Sequence, residues 1–340
     1  MNNEPTRNID DNLRHWAQSA YGVGAEVSNI SRMPGHSGIT YGFRIDHEGR
    51  AEDLVMRVPP IGVRQKNNLD VVRFAPVLDL AHHSGVPVPA VRWWSPDERW
   101  FGTPYLMVSR VEGEPLPDVF ESGQSYPDRP AVDSIFRQAM QVLAGIHSID
   151  ATGLLETRWA EPATREQDLA QWLPLLQKSQ SVGEIERTEE LGRKLLAAAP
   201  PEVSPRVVHG DYYSNNWMVN SGSLSAVLDW ENTTLNDPGW DLGWVATIYD
   251  RRCWGPSRFP GMDWHPQPGD LYEWYESASG QSVRHSNWYQ ALMCYRLVCI
   301  TPAKVRLHRT GRRIDPVWET FAEAVPYMLD TAFELLKEDP

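Results

Sequence analysis

A short β-like block at residues 206–230 lies inside a stretch that otherwise reads as helix from 114 to the end, and it constrains the fold more than any other feature. Arg206-Val-Val-His, Trp217-Met-Val-Asn and Leu224-Ser-Ala-Val-Leu-Asp-Trp have strand character, with the turn Ser221-Gly-Ser between the last two. On either side the texture is helical. Ile135, Met140, Leu143 and Ile146 recur near the helical period within 131–149, the pattern continues over 168–178 and 184–199, and helices resume at about 239.

The first third differs. Residues 9–21 predict an amphipathic helix with Asp at its start. Three antiparallel strands follow at Val27-Ser-Asn-Ile, Thr40-Tyr-Gly-Phe-Arg-Ile and Asp53-Leu-Val-Met-Arg-Val, the first two separated by the small-residue turn Met33-Pro-Gly-His-Ser-Gly-Ile. Residues 69–83 predict a helix that Pro76 must restart or kink, ended by Gly85-Val-Pro-Val-Pro. Two further strands, at 90–94 and 103–109, flank Pro96-Asp-Glu-Arg. The pattern implies an α+β fold of two lobes: a small N-terminal lobe with an antiparallel sheet at 1–108, a connecting segment at 109–113 and a larger, mainly helical lobe at 114–340. No internal repeat is visible.

Composition excludes some function classes. The formal net charge of -13 argues against nucleic acid as partner, because phosphate backbones need clustered Lys and Arg. Cys253, Cys294 and Cys299 suit buried reduced thiols rather than a disulfide framework or a zinc site. The N-terminus has no apolar signal-like region and no segment has the length of a membrane span, so a cytoplasmic protein is expected. Oligomeric state is not legible. Fifteen tryptophans imply either helix packing or an aromatic-lined pocket.

The chemistry concentrates in Val207-Val-His-Gly-Asp-Tyr-Tyr-Ser-Asn-Asn-Trp-Met-Val and Ala226-Val-Leu-Asp-Trp-Glu. A loop carboxylate can accept a proton from an attacking hydroxyl, while an Asn five residues on and an Asp at a strand end can reach a hard cation through oxygen. Phosphoryl transfer needs those parts.

His209-x-Asp211-x4-Asn216, with Asp229 thirteen residues further on, resembles the catalytic and metal loops of the aminoglycoside phosphotransferase family, relatives of choline kinases with a protein-kinase-like fold. Leu143-Ala-Gly-Ile-His147, Asp237-Pro-Gly-Trp-Asp241-Leu-Gly and Gly85-Val-Pro-Val-Pro extend the resemblance over about 30–300. Its flavour is nearest the phosphotransferase domain of acyl-CoA dehydrogenase fusions. The resemblance implies Asp211 as catalytic base, Asn216 and Asp229 as ligands of Mg2+, His209 bracing the loop and Asp241 tying it from behind through backbone hydrogen bonds. It further implies a nucleotide-binding first lobe, with Ser37 and Gly38 in a phosphate-covering loop. Arg57 stands where a phosphate-binding Lys is usual, and the Ser109 and Val111 backbone would meet the base of ATP or GTP. At the position expected to supply a Glu to Arg57 stands Phe74, with Asp70 as a substitute.

The expected reaction is transfer of a γ-phosphate to a hydroxyl of a small molecule. An aromatic-rich stretch from Tyr249 to Tyr289 suggests an apolar or aromatic acceptor, and Arg251, Arg252 and Arg258 could meet its carboxylate or phosphate; inter-helix packing is the competing reading. A hydroxyacyl thioester kinase and a non-catalytic nucleotide-binding protein of the same fold stand as alternatives.

Overall fold

The computed structural model describes residues 9–33, 38–62, 70–117, 126–154, 164–177, 181–255 and 264–338. Its contacts divide the chain into two compact units. The smaller comprises Met1–Gly113, Thr152–Trp159 and Ser225–Thr233, and the larger comprises the remainder.

In the smaller unit, α1 (Ile9–Tyr21) precedes β1 (Glu26–Met33), β2 (Ile39–His47) and β3 (Arg50–Val58), then α2 (Phe74–His83), β4 (Val91–Ser95) and β5 (Tyr105–Ser109). The strands form one antiparallel sheet in the order β1-β2-β3-β5-β4. Alternation along β2 and β3 turns Tyr41, Phe43, Ile45, Leu54, Met56 and Val58 into a core shared with Leu13, Trp16 and Ala17 of α1. Trp16 Nε1 donates to Tyr105 Oη at 3.0 Å, so the buried indole leaves no orphan donor. Of the two outcomes expected at Pro76, the restart is observed: α2 begins afresh at Phe74. A 3-10 turn at Val71–Arg73 carries the chain in, and Pro76 sits in the first helical turn, where its missing N–H has no intrahelical acceptor to lose.

The larger unit contains β6 (Glu114–Pro115), α3 (Arg129–His147), α4 (Arg165–Ala170), α5 (Leu173–Leu176), α6 (Val182–Ala197), β7 (Arg206–Val208) and β8 (Trp217–Asn220). From β8 the chain turns at Ser221-Gly222, both with positive φ, into β9 (Ser223–Val227), which leads into the Ser225–Thr233 segment of the smaller unit. It returns as β10 (Thr234–Asn236), antiparallel to β7, and continues through α7 (Gly239–Tyr249), α8 (Pro268–Ser279), α9 (Ser286–Arg309) and α10 (Val317–Glu338). β10 was not anticipated; three residues in a polar surround carry too little periodicity to signal a strand. The fold class expected from the sequence, α+β with a small antiparallel sheet and a larger helical part, is the one observed. Among the described residues no helix is long and apolar enough to cross a membrane, and the three cysteines are free and buried.

Every residue of α7 is buried, as expected for a helix that is apolar on all sides. It meets α9 at backbone distance. A Cβ on Gly243 would stand 2.5 Å from the Tyr289 carbonyl oxygen, and one on Gly239 would stand 2.3 Å from the Tyr289 ring. Gly243→Ala must therefore push two helices apart, because the obstruction is backbone. We expect it to cost about 3 kcal/mol of stability, read as a lowered urea midpoint at unchanged slope.

Candidate active site

In the larger unit, candidate residues gather on the loop between β7 and β8. β7 ends at Val208, and Gly210 adopts φ +80°, which turns the chain so that Asp211 follows a buried His209. Asp241, in the first turn of α7 and fully buried, accepts the His209 N–H on Oδ2 at 2.7 Å and the Gly210 N–H on Oδ1 at 2.7 Å. It also meets His147 Nε2 at 3.1 Å, and His147 Nδ1 meets Tyr275 Oη at 2.9 Å. Burial alone would raise the Asp241 carboxyl. The His147 hydrogen bond and charge, with His209 and the Gly210 amide, outweigh it and hold the carboxyl below its usual value.

Five further hydrogen bonds shape the loop. The Asp211 N–H donates to His209 Nδ1 at 3.3 Å. Asn216 Nδ2 donates to the Asp211 carbonyl at 2.8 Å and lies 3.4 Å from its Oδ2. Tyr249 Oη accepts the Ser214 N–H at 3.2 Å, and Tyr212 Oη donates to the Ala139 carbonyl at 2.6 Å. The arrangement presents the part-buried Asp211 carboxylate on a backbone held from beneath.

The smaller unit holds a second group of candidate residues. Gly38, at φ +109°, lies against β3: a Cβ there would stand 3.1 Å from the Val58 carbonyl oxygen and 3.8 Å from Arg57 Nε. Arg57 Nη1 donates to Asp229 Oδ1 at 3.2 Å, and Arg57 Nη2 is ion-paired with Glu231. Asp229 occupies the left-handed region at φ 59°, ψ 60°, a conformation costly for a non-glycine residue and concentrated at functional sites. Its segment is tied down by Val227 N–H to the Pro87 carbonyl at 2.8 Å and by Arg73 Nη2 to the Thr233 carbonyl at 3.0 Å.

These contacts answer how Arg57 is held without a helix Glu. Phe74 is buried at the start of α2, and the Asp70 carboxylate accepts the Arg73 N–H at 3.3 Å, capping the 3-10 turn. The acids at Arg57 instead come from far along the sequence. Glu231 was missed, although it stands two residues after Asp229 in Leu228-Asp-Trp-Glu. We expect Glu231→Gln to raise the nucleotide KM about tenfold with kcat little changed, since it loosens a charge-assisted pair that orients the cation. Steady-state kinetics over nucleotide concentration would measure this.

The remaining candidates fare differently. Ser37 lies outside the described residues. The Ser109 N–H is taken by the Ala90 carbonyl at 2.9 Å, while Val111 forms no backbone hydrogen bond among the described residues. In the aromatic stretch six of the nine rings, Tyr249, Trp254, Trp274, Tyr275, Trp288 and Tyr289, are buried in packing, whereas Trp264 and Tyr272 are half-buried and Phe259 lies outside the described residues. Trp254 and Trp288 donate to the Thr247 and Leu195 carbonyls. Arg252 is paired with Asp250, Arg251 Nε donates to His265, and Arg258 is outside the described residues. Among the described residues no cluster of three or more His, Cys, Asp or Glu side chains could hold a metal.

Comparison with known proteins then gives the site a context. The model of the phosphotransferase enzyme family matches residues 35–260, about two thirds of the chain. Acyl-CoA dehydrogenase family member 10 of Mus musculus is 26% identical over 90% of this chain, which spans 29% of that protein's length. Viomycin phosphotransferase of Streptomyces vinaceus is 28% identical over 64% of this chain and 77% of its own. A solved Ralstonia eutropha structure assigned as an aminoglycoside phosphotransferase superposes with TM-score 0.75 at 21% identity, covering 97% of this chain and 98% of that one. A thermostable mutant of the aminoglycoside phosphotransferase APH(4)-Ia, in a ternary complex with ADP and hygromycin B, superposes with TM-score 0.56 at 14% identity over 96% and 98%.

Proposed function

Since the chain belongs to the phosphotransferase enzyme family, we propose that it transfers the γ-phosphate of ATP or GTP to a hydroxyl of a small molecule, with Mg2+. The observation that carries this reading is the Asp241 clamp, which holds two successive loop amides and so presents Asp211 on a fixed backbone. Asp211 orients the acceptor hydroxyl and takes its proton. His209 braces the loop through the Asp211 amide, and Asp241 positions both. Gly38, with Ser37, covers the phosphates, Arg57 contacts them under the control of Glu231 and Asp229, and the chain at Ser109 and Val111 reads the base. Residues 1–108 then form the nucleotide-binding lobe, 109–113 the hinge and 114–340 the lobe carrying the catalytic loop and acceptor site. The setting is cytoplasmic.

The side chains proposed for Mg2+ suit it chemically. Asn216 commits its amide nitrogen to Asp211, which leaves its amide oxygen as donor, and Asp229 supplies a carboxylate. Hard oxygen ligands, few from protein and the rest from phosphates and water, are what Mg2+ takes. When bound, it would neutralise charge on the β- and γ-phosphates.

The acceptor is a hydroxyl compound. Viomycin phosphotransferase and the hygromycin B complex support an antibiotic-like alcohol. The buried aromatics of 249–289 lend no weight to an aromatic one. A hydroxyacyl thioester is the second reading, favoured by the match to acyl-CoA dehydrogenase family member 10 over nine tenths of this chain. Transfer of label from γ-labelled ATP and GTP, in magnesium, to aminoglycosides, macrolides, apolar alcohols, phenols and hydroxyacyl thioesters tests both. A labelled product identifies the class; nucleotide binding without transfer to any of them would favour a non-catalytic protein.

A further inference from the structure

Arg296, on α9, plays no part in the sequence reading. Its guanidinium lies over three indole rings, 5.0 Å from the Trp172 centroid, 5.5 Å from Trp240 and 5.2 Å from Trp244. Trp240 and Trp244 belong to α7, the helix that carries Asp241; Trp172 lies between α4 and α5. Among the described residues Arg296 makes one hydrogen bond, from Nη1 to the Gly210 carbonyl at 3.4 Å, and its Nε is buried without a partner.

A cation placed this way is costly. Arg296 is half-buried, and withdrawing part of a guanidinium from water for a single protein hydrogen bond is less favourable than filling the same volume with an apolar side chain, so packing alone does not account for an arginine here. What the guanidinium meets is informative: Gly210 precedes Asp211, and its N–H is already bound by Asp241 at 2.7 Å. Gly210 is thus held at its nitrogen from α7 and at its carbonyl from α9. As a glycine at φ +80°, it would otherwise be the freest point of the loop. Burial draws the Arg296 pKa down, against the nearby carboxylates Asp211, Asp241 and Asp168, which favour the charged form.

We infer that Arg296 is a positioning residue of phosphate transfer: caged by Trp172, Trp240 and Trp244, it anchors the Gly210 carbonyl and, opposite Asp241, sets the backbone from which Asp211 acts. The inference rests on the reading of Asp211 as the transfer base. The close α7–α9 approach at Gly239 and Gly243 brings Arg296 and Asp241 to the two successive peptides that flank Gly210.

The test compares Arg296→Met, which keeps the stem and loses the charge, with Arg296→Lys, which keeps the charge. Amide hydrogen exchange across 207–213 is followed in the full chain without substrate, beside kcat and nucleotide Kd. The Met variant is expected to exchange faster in this segment and to lose about a hundredfold in kcat, as a displaced catalytic group does, with nucleotide Kd changed less than about twofold. The Lys variant should recover part of both losses. Packing alone predicts the reverse order, with Met the better replacement. Unchanged exchange in Arg296→Met, or equal kcat in the two variants, overturns the inference. If Arg296→Met does not fold, Arg296→Lys alone decides, since a positioned fork predicts faster exchange of the segment than in wild type. Absence of Asp211-dependent transfer in the wild type would instead remove the phosphotransfer reading, and the exchange comparison would still judge whether Arg296 holds the loop.

Discussion

Asp211→Asn is expected to lower kcat for phosphate transfer about a thousandfold while leaving the nucleotide Kd within about twofold of wild type. The substitution is nearly isosteric. The amide oxygen can still face Asn216 Nδ2, and the Asp211 carbonyl, which holds Asn216 at 2.8 Å, is untouched. The loop should keep its shape, because its anchors are the His209 and Gly210 amides on Asp241. What is lost is the capacity to receive the hydroxyl proton as the bond to phosphorus forms. Single-turnover transfer from γ-labelled nucleotide, paired with equilibrium nucleotide binding, separates the two quantities. Retained turnover would remove Asp211 from the role of base.

Asp241→Ala is expected to be the most destabilising single change at the site, by about 3–5 kcal/mol, because it strands groups that the fold has already removed from water. The His209 and Gly210 amides would each lose their acceptor, and His147 would keep its Tyr275 contact alone. Each stranded donor costs about 1–3 kcal/mol on its own. The same carboxylate gives the effect a pH signature. Its folded pKa lies below the usual value, so its contribution to stability is complete above the unfolded pKa and fades as pH falls through the folded one. The gap in unfolding free energy between wild type and Asp241→Ala should therefore be full at neutral pH and shrink in strong acid. Urea titrations across that range would show it, and a gap independent of pH would mean that the carboxylate is not the source of the stability.

The parts of the site legible in the sequence share one property: they are held by neighbours close along the chain or by short motifs. His209, Asp211 and Asn216 lie within one loop, and the Asp211–Asn216 contact spans five residues. The strands of the small sheet were legible for a related reason, since alternation of apolar and polar residues in 39–47 and 50–58 is a local signal of burial on one face. Glu231 and Arg296 were not legible. The partner of Arg57 is separated from it by 174 residues, and an arginine in a helical stretch such as 286–309 reads as solvent-facing unless the rings above it are known. The aromatics at 249–289 were ambiguous for the same reason: composition reveals large rings, and only packing shows whether they line a space or fill one.

From the order of its residues alone, this chain declares an α+β fold, a loop with the makings of phosphoryl transfer and a small sheet with Arg57 near the end of its third strand. Those features follow from local conformational preference and short-range spacing. Only the tertiary structure decides what surrounds that arginine and which cation lies against the loop. Such choices depend on desolvation, since a buried charge must find its partner wherever folding brings one within hydrogen-bond reach. Asp241 finds the amides of His209 and Gly210, and Arg57 finds Asp229 and Glu231, at separations along the chain on which residue periodicity is silent.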